Sequence, residues 1–265
     1  MTTENINKQI IDNLDLFDDD LMTLVFKNNL PATELILNII LERKITVISV
    51  ETQEAMRSPE IGGRDVTLDV HAIDADGTEI DIEVQGNSEG AHVRRTRFHS
   101  AVMDSRMLKE GNPFKVLRDS YVIFIYKHDK FNMGLPLYHI DRTVLESGKP
   151  FNDGSHIIYV NGNYKGDNAI GKMISDFHAK VSENMNYKLL ADGIHHFKET
   201  KEGRDNVSEK VQKYAEEYAE EYNANKDIEK VKSVMEKLKY SLEETFDLLN
   251  ITGDEKKYIS SRLQK

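Results

Sequence analysis

The sequence contains no cysteine and no tryptophan. The absence of cysteine excludes disulfides and thiolate metal sites. The absence of tryptophan removes a common platform for sugar rings, which argues against a glycoside-cleaving site even though paired acids also serve that chemistry. No apolar run approaches the ~18 residues of a membrane span, and the N-terminus lacks the basic start and apolar core of a signal peptide. We therefore expect a cytoplasmic protein without a membrane partner.

With 265 residues, the chain can hold one sizeable domain with an appendage, or two small domains. Its formal net charge of −11 is unusual for a protein that binds nucleic acid, but the charge is uneven. Residues 1–90 carry a net charge of −13, whereas residues 91–130 carry one of +5. This order is compatible with a carboxylate metal site beside a phosphate-contacting helix. It is equally compatible with an ordinary acidic protein that has one basic helix.

The most informative stretch runs from residue 64 to residue 85, where apolar and polar residues alternate on either side of Asp74-Ala75-Asp76-Gly77. The alternation predicts two half-buried strands, and the central residues predict a three-residue loop with Gly77 in the left-handed region. This register puts every apolar residue of both strands on one face. On the polar face, the register sets Asp69 opposite Glu83, His71 opposite Asp81 and Thr67 opposite Gln85.

The facing acids Asp69 and Glu83 are the first candidate site. Directly opposite Cβ atoms in such pairs are about 4.5–5.5 Å apart, and like charges at that distance repel. The two carboxylates therefore share a proton, meet a basic side chain of the same chain, or bind a cation. The spacing also leaves open a solvated acidic hairpin face in a purely structural protein.

The remaining pattern predicts an α/β core followed by helices. Residues 1–20 are predicted to form a flexible acidic N-terminus, residues 21–200 the core and residues 201–265 a helical extension for contact with a partner or a second copy. A helix is predicted to begin at Leu30-Pro31 and to carry Glu34. The other core elements are predicted to be a strand at 45–50, a loop at 51–63, a helix at 91–110 and a fully buried strand at 121–126.

Several of these pieces, taken in order, resemble the core of PD-(D/E)XK nucleases, and more narrowly the PD-(D/E)XK family transposases, the recombination-promoting nuclease group. The resemblance covers roughly residues 15–200. Two departures stand out, because Leu68 replaces the Pro of the family name and Gln85 replaces its usual Lys. The matching pieces are Leu68-Asp69-Val70, Ile82-Glu83-Val84-Gln85, Arg95-x-x-Phe98-His99-Ser100, Gly111-Asn112-Pro113-Phe114 and Tyr121-Val122-Ile123-Phe124-Ile125.

The resemblance implies a restriction-endonuclease-like core, with a mixed central sheet flanked by helices, and a metal-dependent DNA endonuclease linked to recombination or transposition. It implies that Asp69, Glu83 and Glu34 hold Mg²⁺ or Mn²⁺, ions that prefer such hard oxygen ligands. Gln85 would orient the attacking water without supplying a lysine's charge, and Arg95 is the candidate for that charge. For Glu34, a solvated first-turn acid favoured by the helix dipole remains the alternative.

The helix predicted at 91–110 carries the candidate DNA contacts, because its basic side chains follow the acidic hairpin closely. A solvated basic face is the alternative for these residues. An inactive core that binds DNA or another protein also remains open, because Gln85 replaces the lysine and the overall charge is acidic. The candidate DNA contacts are Arg94, Arg97, His99 and Arg106.

Overall fold

The fold is described by a computed structural model that covers residues 3–57, 62–253, 256 and 259–260, with the backbone alone for residues 3–7 and 210–227. The chain divides into two compact units, Met1–Val207 and Ser208–Lys265. The segment boundaries predicted at residues 20 and 200 stay predictions. Leu16 and Phe17, which precede the first of these boundaries, lie in the main hydrophobic core.

The first unit contains groups of strands that are preceded, separated and followed by helices, in agreement with the predicted α/β core. No helix of the described residues is long and apolar enough to cross a membrane. The helices are α1 Thr3–Asn13, α2 Asp19–Phe26, α3 Leu30–Ile40, α4 Val93–Met107, α5 Ala169–Phe177, α6 Lys188–Ile194 and α7 Lys201–Leu238, which continues into the second unit, where α8 Leu242–Leu249 follows. The strands are β1 Val47–Met56, β2 Val66–Asp74, β3 Glu79–Gln85, β4 Ser120–Tyr126, β5 Leu137–Ile140, β6 Thr143–Val144, β7 Lys149–Pro150 and β8 Ser155–Asn161.

Six strands form one mixed sheet in the order β1-β2-β3-β4-β8-β5, and β6 pairs with β7 in a separate two-stranded sheet. The hairpin β2–β3 is antiparallel because its connection is short, whereas β3, β4 and β8 run parallel, with α4 between β3 and β4 along the chain. The hairpin loop agrees with the prediction, since Gly77 has a φ of 80° and the pairs Ala72–Ile80 and Val70–Ile82 lie in register. The predicted mixed sheet flanked by helices is confirmed.

The hairpin is buried on both faces, which corrects the prediction of two half-buried strands and argues against the alternative of a solvated acidic face. One face of the sheet packs in a core that contains Ile80 and Ile82, together with residues of α2, α3, α5 and α6. The other face carries Asp81 and Glu83, both with no exposed surface, and lies on the side of the sheet that α4 packs against. The acids of β3 are therefore inside the protein rather than in water.

The apolar face of β2 changes at Asp69, and this also differs from the prediction that every apolar residue lies on one face. Val70 packs in the core below α2 and α3, whereas Leu68 packs with Phe124 in the core on the α4 side. In the neighbouring strand β1, Gln53 has a φ of 54°, a backbone conformation that residues other than glycine rarely adopt. The change of face therefore occurs beside a residue of β1 that departs from regular strand geometry.

Strand β1 is longer than predicted. Residues 51–56 were predicted to be part of a loop, but they pair with β2 from Glu51–His71 to Met56–Val66. The polar residues that suggested a loop alternate with half-buried positions along the edge of the sheet. The part of that predicted loop at 58–61 lies outside the described residues.

The second unit has a small hydrophobic core of its own. Phe246 of α8 is fully buried, and Ile228 and Val231 near the end of α7 belong to the same cluster. A capping box begins α8, because the Ser241 side chain accepts from the Glu244 amide while the Glu244 side chain accepts from the Ser241 amide. The tail is thus helical, as predicted.

Candidate active site

The two predicted acids lie together at the open end of the β2–β3 hairpin. The backbone pairing of the two strands stops at Val70–Ile82, and beyond it side-chain oxygens accept hydrogen bonds from the backbone amides. The Asp69 amide donates to Glu83 Oε1 at 3.0 Å, and the Val84 amide donates to Asp69 Oδ2 at 3.1 Å. The carboxylates therefore replace bonds of the backbone ladder, and the strands separate around them.

Burial makes this a site of unfavourable negative charge. The pKa of Asp69 is raised to about 8, first because the carboxyl group is buried and second because Glu83 is close. The pKa of Glu83 is also raised to about 8, by burial and by the neighbouring Asp81. Asp81 is completely buried, and its pKa is raised well above its usual range. Three acids within one small volume call for positive charge nearby.

Arg95 supplies one positive charge from the first turn of α4. Its Nη2 atom lies 2.7 Å from Glu83 Oε2, and its Nη1 atom donates to Gln85 Oε1 at 3.5 Å. The helix begins at the cap residue His92, whose side chain accepts from the Arg94 amide. The structure therefore brings Arg95 to the two acids, where a lysine charge was expected from the resemblance.

Gln85 lies between the two carboxylates. Its Nε2 atom is 3.3 Å from Glu83 Oε2 and 3.5 Å from Asp69 Oδ2. Gly90 makes room for it, because a Cβ atom at that position would lie 2.0 Å from Gln85 Oε1. The amide thus contacts both acids as a neutral donor, and the charge comes from Arg95 instead.

Asp81 and His99 complete the cluster. His99 is 2% exposed; its Nδ1 atom lies 2.8 Å from Asp81 Oδ2, and its Nε2 atom accepts from Arg95 Nε at 3.2 Å. Burial lowers the pKa of His99. A direct DNA contact was predicted for His99, but both of its ring nitrogens already contact protein groups.

Residues 27–247 match the family described as PD-(D/E)XK nuclease family transposase. The chain belongs to this family. The match covers most of the chain, and the mixed six-stranded sheet with its helices is consistent with the PD-(D/E)XK fold. No curated protein and no solved structure matches the chain. The resemblance inferred from the sequence is therefore confirmed at the level of the family and the fold.

In this transposase-family chain, Asp81, Glu83 and His99 form a group that can hold a metal ion. One ligand atom from each lies within 4.8 Å of the others, and all three residues are buried. The predicted register, with Asp81 opposite His71, is confirmed, and the His71 side chain bonds to the other neighbouring strand, where its Nδ1 atom lies 2.6 Å from Glu54 Oε2. The signal that was missed is the position of Asp81 two residues before Glu83 on one strand face.

Glu34 is not brought to the acids Asp69 and Glu83. Its Oε2 atom accepts from the Val47 amide at 3.1 Å, and Val47 pairs with Asp74 at the turn end of the hairpin. Asp74 lies five residue positions after Asp69 along β2, a distance of about 17 Å in a strand. An acid of the N-terminal helices that affects the site is Asp19, whose negative charge helps to raise the pKa of Asp69.

A surface cleft of about 850 Å³ gives access to the cluster. Asp69, Gln85 and Arg95 line it, together with Arg94 and the partly exposed Phe98. The predicted DNA contacts Arg97 and Arg106 are exposed elsewhere on α4. The cleft thus combines the acids with basic and aromatic side chains that suit a nucleic acid.

Proposed function

We propose that this chain is a metal-dependent DNA endonuclease that hydrolyses phosphodiester bonds, with a role in recombination or transposition. The observation that carries the proposal is the pairing of Asp69 with Glu83 at the open end of the hairpin, beside a cleft that a substrate can enter. Membership of the PD-(D/E)XK transposase family supports the same function. DNA is the substrate that this family implies.

The residues present fit a divalent cation. Three carboxyl groups face one guanidinium group, and His99, whose pKa is lowered, adds no charge. In addition, Asp81 Oδ1 is buried and has no hydrogen-bond partner among the residues that the structure describes. Oxygen ligands with an excess of negative charge suit Mg²⁺ or Mn²⁺. When bound, such an ion polarises the phosphoryl oxygen and lowers the pKa of a bound water.

We assign Asp69 and Glu83 as the ligands that face the substrate. Asp69 lines the cleft, whereas Asp81 is fully buried behind Glu83. The Gln85 amide lies beside both carboxylates, which is a suitable position for orienting the attacking water. Arg95 offsets the charge of Glu83 and, with 35% of its side chain exposed, lines the cleft, where it can contact a phosphate of the substrate. Glu34 has no part in this arrangement.

DNA contacts are proposed for the exposed arginines of α4. Arg94 lines the cleft directly, and Arg97 and Arg106 would meet phosphates farther along the duplex. Such contacts give affinity that falls as the salt concentration rises. The segment 91–130, with its net charge of +5, concentrates this basic surface next to the acids.

A second candidate function is an inactive core that binds DNA or a partner protein. The observation in its favour is the direct pairing of Arg95 with Glu83, which already neutralises one of the two acids. The two candidates differ in one measurable property, because only the nuclease hydrolyses DNA when a divalent cation is added.

The test incubates the full chain with supercoiled plasmid and Mg²⁺, Mn²⁺ or EDTA. Asp69→Ala and Glu83→Ala should lose metal-dependent nicking, whereas Asp76→Ala, an exposed acid at the tip of the same hairpin, should retain it. Circular dichroism checks that each variant folds. Undiminished nicking in both site variants would contradict the proposal, and DNA binding without nicking in the wild type would favour the inactive module.

For the helical tail we keep contact with a partner or formation of a homodimer as a proposal. The second unit, Ser208–Lys265, has its own buried cluster, and the first unit ends at Val207. A chain that ends at Val207 should therefore keep its secondary structure and metal-dependent cleavage, with any loss confined to DNA affinity or assembly. Size-exclusion chromatography with light scattering measures assembly, and aggregation of the shortened chain would contradict an independent first unit.

A further inference from the structure

A continuous chain of polar contacts runs from the buried Asp81 to the catalytic acid Glu83 through two residues of α4. Asp81 Oδ2 lies 2.8 Å from His99 Nδ1, and His99 Nε2 lies 3.2 Å from Arg95 Nε. Arg95 Nη2 then lies 2.7 Å from Glu83 Oε2. The two ends of this chain of contacts are thus both carboxylates of β3.

The donors and acceptors in this chain fix the position of one proton. A guanidinium group has only donors, so Arg95 Nε–H must donate and His99 Nε2 must accept. A neutral imidazole that accepts at Nε2 carries its proton on Nδ1, and this proton faces Asp81 Oδ2. The other tautomer would direct the Nε2 proton of His99 at the Nε proton of Arg95. The geometry therefore selects one tautomer.

We propose that His99 and Asp81 are positioning residues, which hold the Arg95 guanidinium against Glu83 and Gln85 in place of the missing lysine charge. The proposal rests on the proposed nuclease function, since it concerns the arrangement of that site. Arg95 is the residue that needs such support, because a long side chain with 35% exposure otherwise samples many rotamers. Bonds at both Nε and Nη2 fix the plane of the guanidinium group.

This tautomer differs from the one required if His99 Nδ1 binds a metal ion together with Asp81 and Glu83, as the spacing of the three residues allows. A metal-binding nitrogen must offer a lone pair, so the proton would have to move to Nε2 and the bond from Arg95 would be lost. The location of the proton on His99 therefore distinguishes a positioning residue from a metal ligand. This property can be measured without any DNA substrate.

The first test compares two amide substitutions at His99. In His99→Gln the amide reaches as far as Nε2 and can still accept from Arg95, whereas in His99→Asn it reaches only as far as Nδ1 and can only support Asp81. The positioning role predicts that His99→Asn cleaves plasmid about 10–100-fold more slowly, the range for residues behind a metal site. His99→Gln should retain most of the rate, and DNA affinity should stay unchanged in both. His139→Gln, an exposed histidine of β5, is the matched control.

A result in which His99→Asn is as active as His99→Gln would overturn the proposal, because support of Asp81 alone would then suffice. The second test is nuclear magnetic resonance of the wild type labelled with ¹⁵N in histidine and arginine. It should show His99 protonated on Nδ1 and an Arg95 Nε–H that exchanges slowly with water. A proton on Nε2, or an Arg95 Nε–H that exchanges as fast as that of the exposed Arg97, would overturn the proposal. If the wild type does not cleave DNA, the nuclease function fails, and this spectrum still decides whether His99 positions Arg95.

Discussion

The two ends of the β2–β3 hairpin use the same kind of bond for different purposes. At the turn end, Asp74 Oδ1 accepts from the amides of Asp76 and Thr78 at 2.9 and 2.8 Å. At the open end, Asp69 and Glu83 accept from the backbone of the opposite strand. Both sets of carboxylates are buried, and both complete the hydrogen bonding of backbone amides.

The two ends of the hairpin differ in the number of acids that they contain and in whether a ligand can reach those acids. One carboxylate closes the turn, whereas three carboxyl groups gather around the open end, where the pKa values of Asp69 and Glu83 are raised to about 8. The open end also meets the cleft, so its oxygens can contact a ligand. The same kind of bond therefore stabilises the fold at one end, and at the other it holds the carboxyl oxygens of the candidate site in place at a cost in stability.

Cleavage activity should show the largest contrast between the two ends. Glu83→Gln removes a proposed ligand charge and should lower metal-dependent plasmid nicking by more than about 100-fold, beyond the effect of residues behind a metal site. Asp74→Asn keeps an acceptor at the turn and should leave the nicking rate unchanged. Equal losses in the two variants would mean that the hairpin acts only as a scaffold.

Stability should show the opposite contrast. Asp74→Ala leaves two backbone amides without their acceptor and should lower the free energy of unfolding by about 2–4 kcal/mol. Asp69→Ala also removes an acceptor, but it relieves the repulsion with Glu83, so its loss should be smaller. Urea unfolding in EDTA measures both, with Asp76→Ala as the control. A larger loss for Asp69→Ala would show that repulsion at the open end is negligible.

Addition of a metal ion should change the order of stability between wild type and Asp69→Asn. In EDTA at a pH above about 8, where both carboxyl groups are ionised, the variant should be as stable as the wild type or more stable, by a few tenths to about 1 kcal/mol, because one of two facing charges is gone. With Mn²⁺ at a hundredfold excess over Kd, the wild type should gain about 2.7 kcal/mol that the variant lacks. Thermal melts with EDTA and with Mn²⁺ decide this, and melts that Mn²⁺ does not move would contradict a metal site.

The pH dependence of stability should follow from the raised pKa values. A carboxyl group whose pKa is about 8 in the folded protein keeps its proton at pH values where the unfolded chain, with a pKa near 4, has lost it. Stability without metal should therefore fall as the pH rises from about 4 to about 8, by up to about 1.4 kcal/mol per pH unit for each group. Urea unfolding in EDTA at pH 6 and pH 8 measures the slope. The double variant Asp69→Asn with Glu83→Gln should flatten it, and an unchanged slope would assign it to other groups.

The sequence predicts local pairing at the hairpin well, because alternation and a glycine in the loop determine the register. Asp69, Glu83 and Gln85 therefore lie together as expected, and Arg95 follows at the start of the next helix. The family resemblance adds the fold, which the match to residues 27–247 confirms.

Contacts between side chains of separate helices and strands cannot be predicted from the sequence pattern in this way. The pairing of Asp81 with His99 depends on how α4 crosses the sheet, and polar residues at those positions have no pattern that predicts burial. Glu34 was assigned by analogy with a family motif, but its helix places it at the other end of the hairpin. The sequence also does not reveal that Leu68 and Val70 pack on opposite faces of the sheet, because both still alternate with polar residues.

The left-handed residue Gln53 also affects how this protein meets other copies of itself. Strand β1 is ten residues long and forms one edge of the six-stranded sheet. A long regular edge strand offers a row of backbone donors and acceptors on which a strand of another molecule can add, and this is a route to aggregation. Gln53, with its φ of 54°, interrupts that row near its middle. The irregularity that accompanies the separation of the strands at the candidate active site thus also makes this edge a poorer template for intermolecular strand pairing.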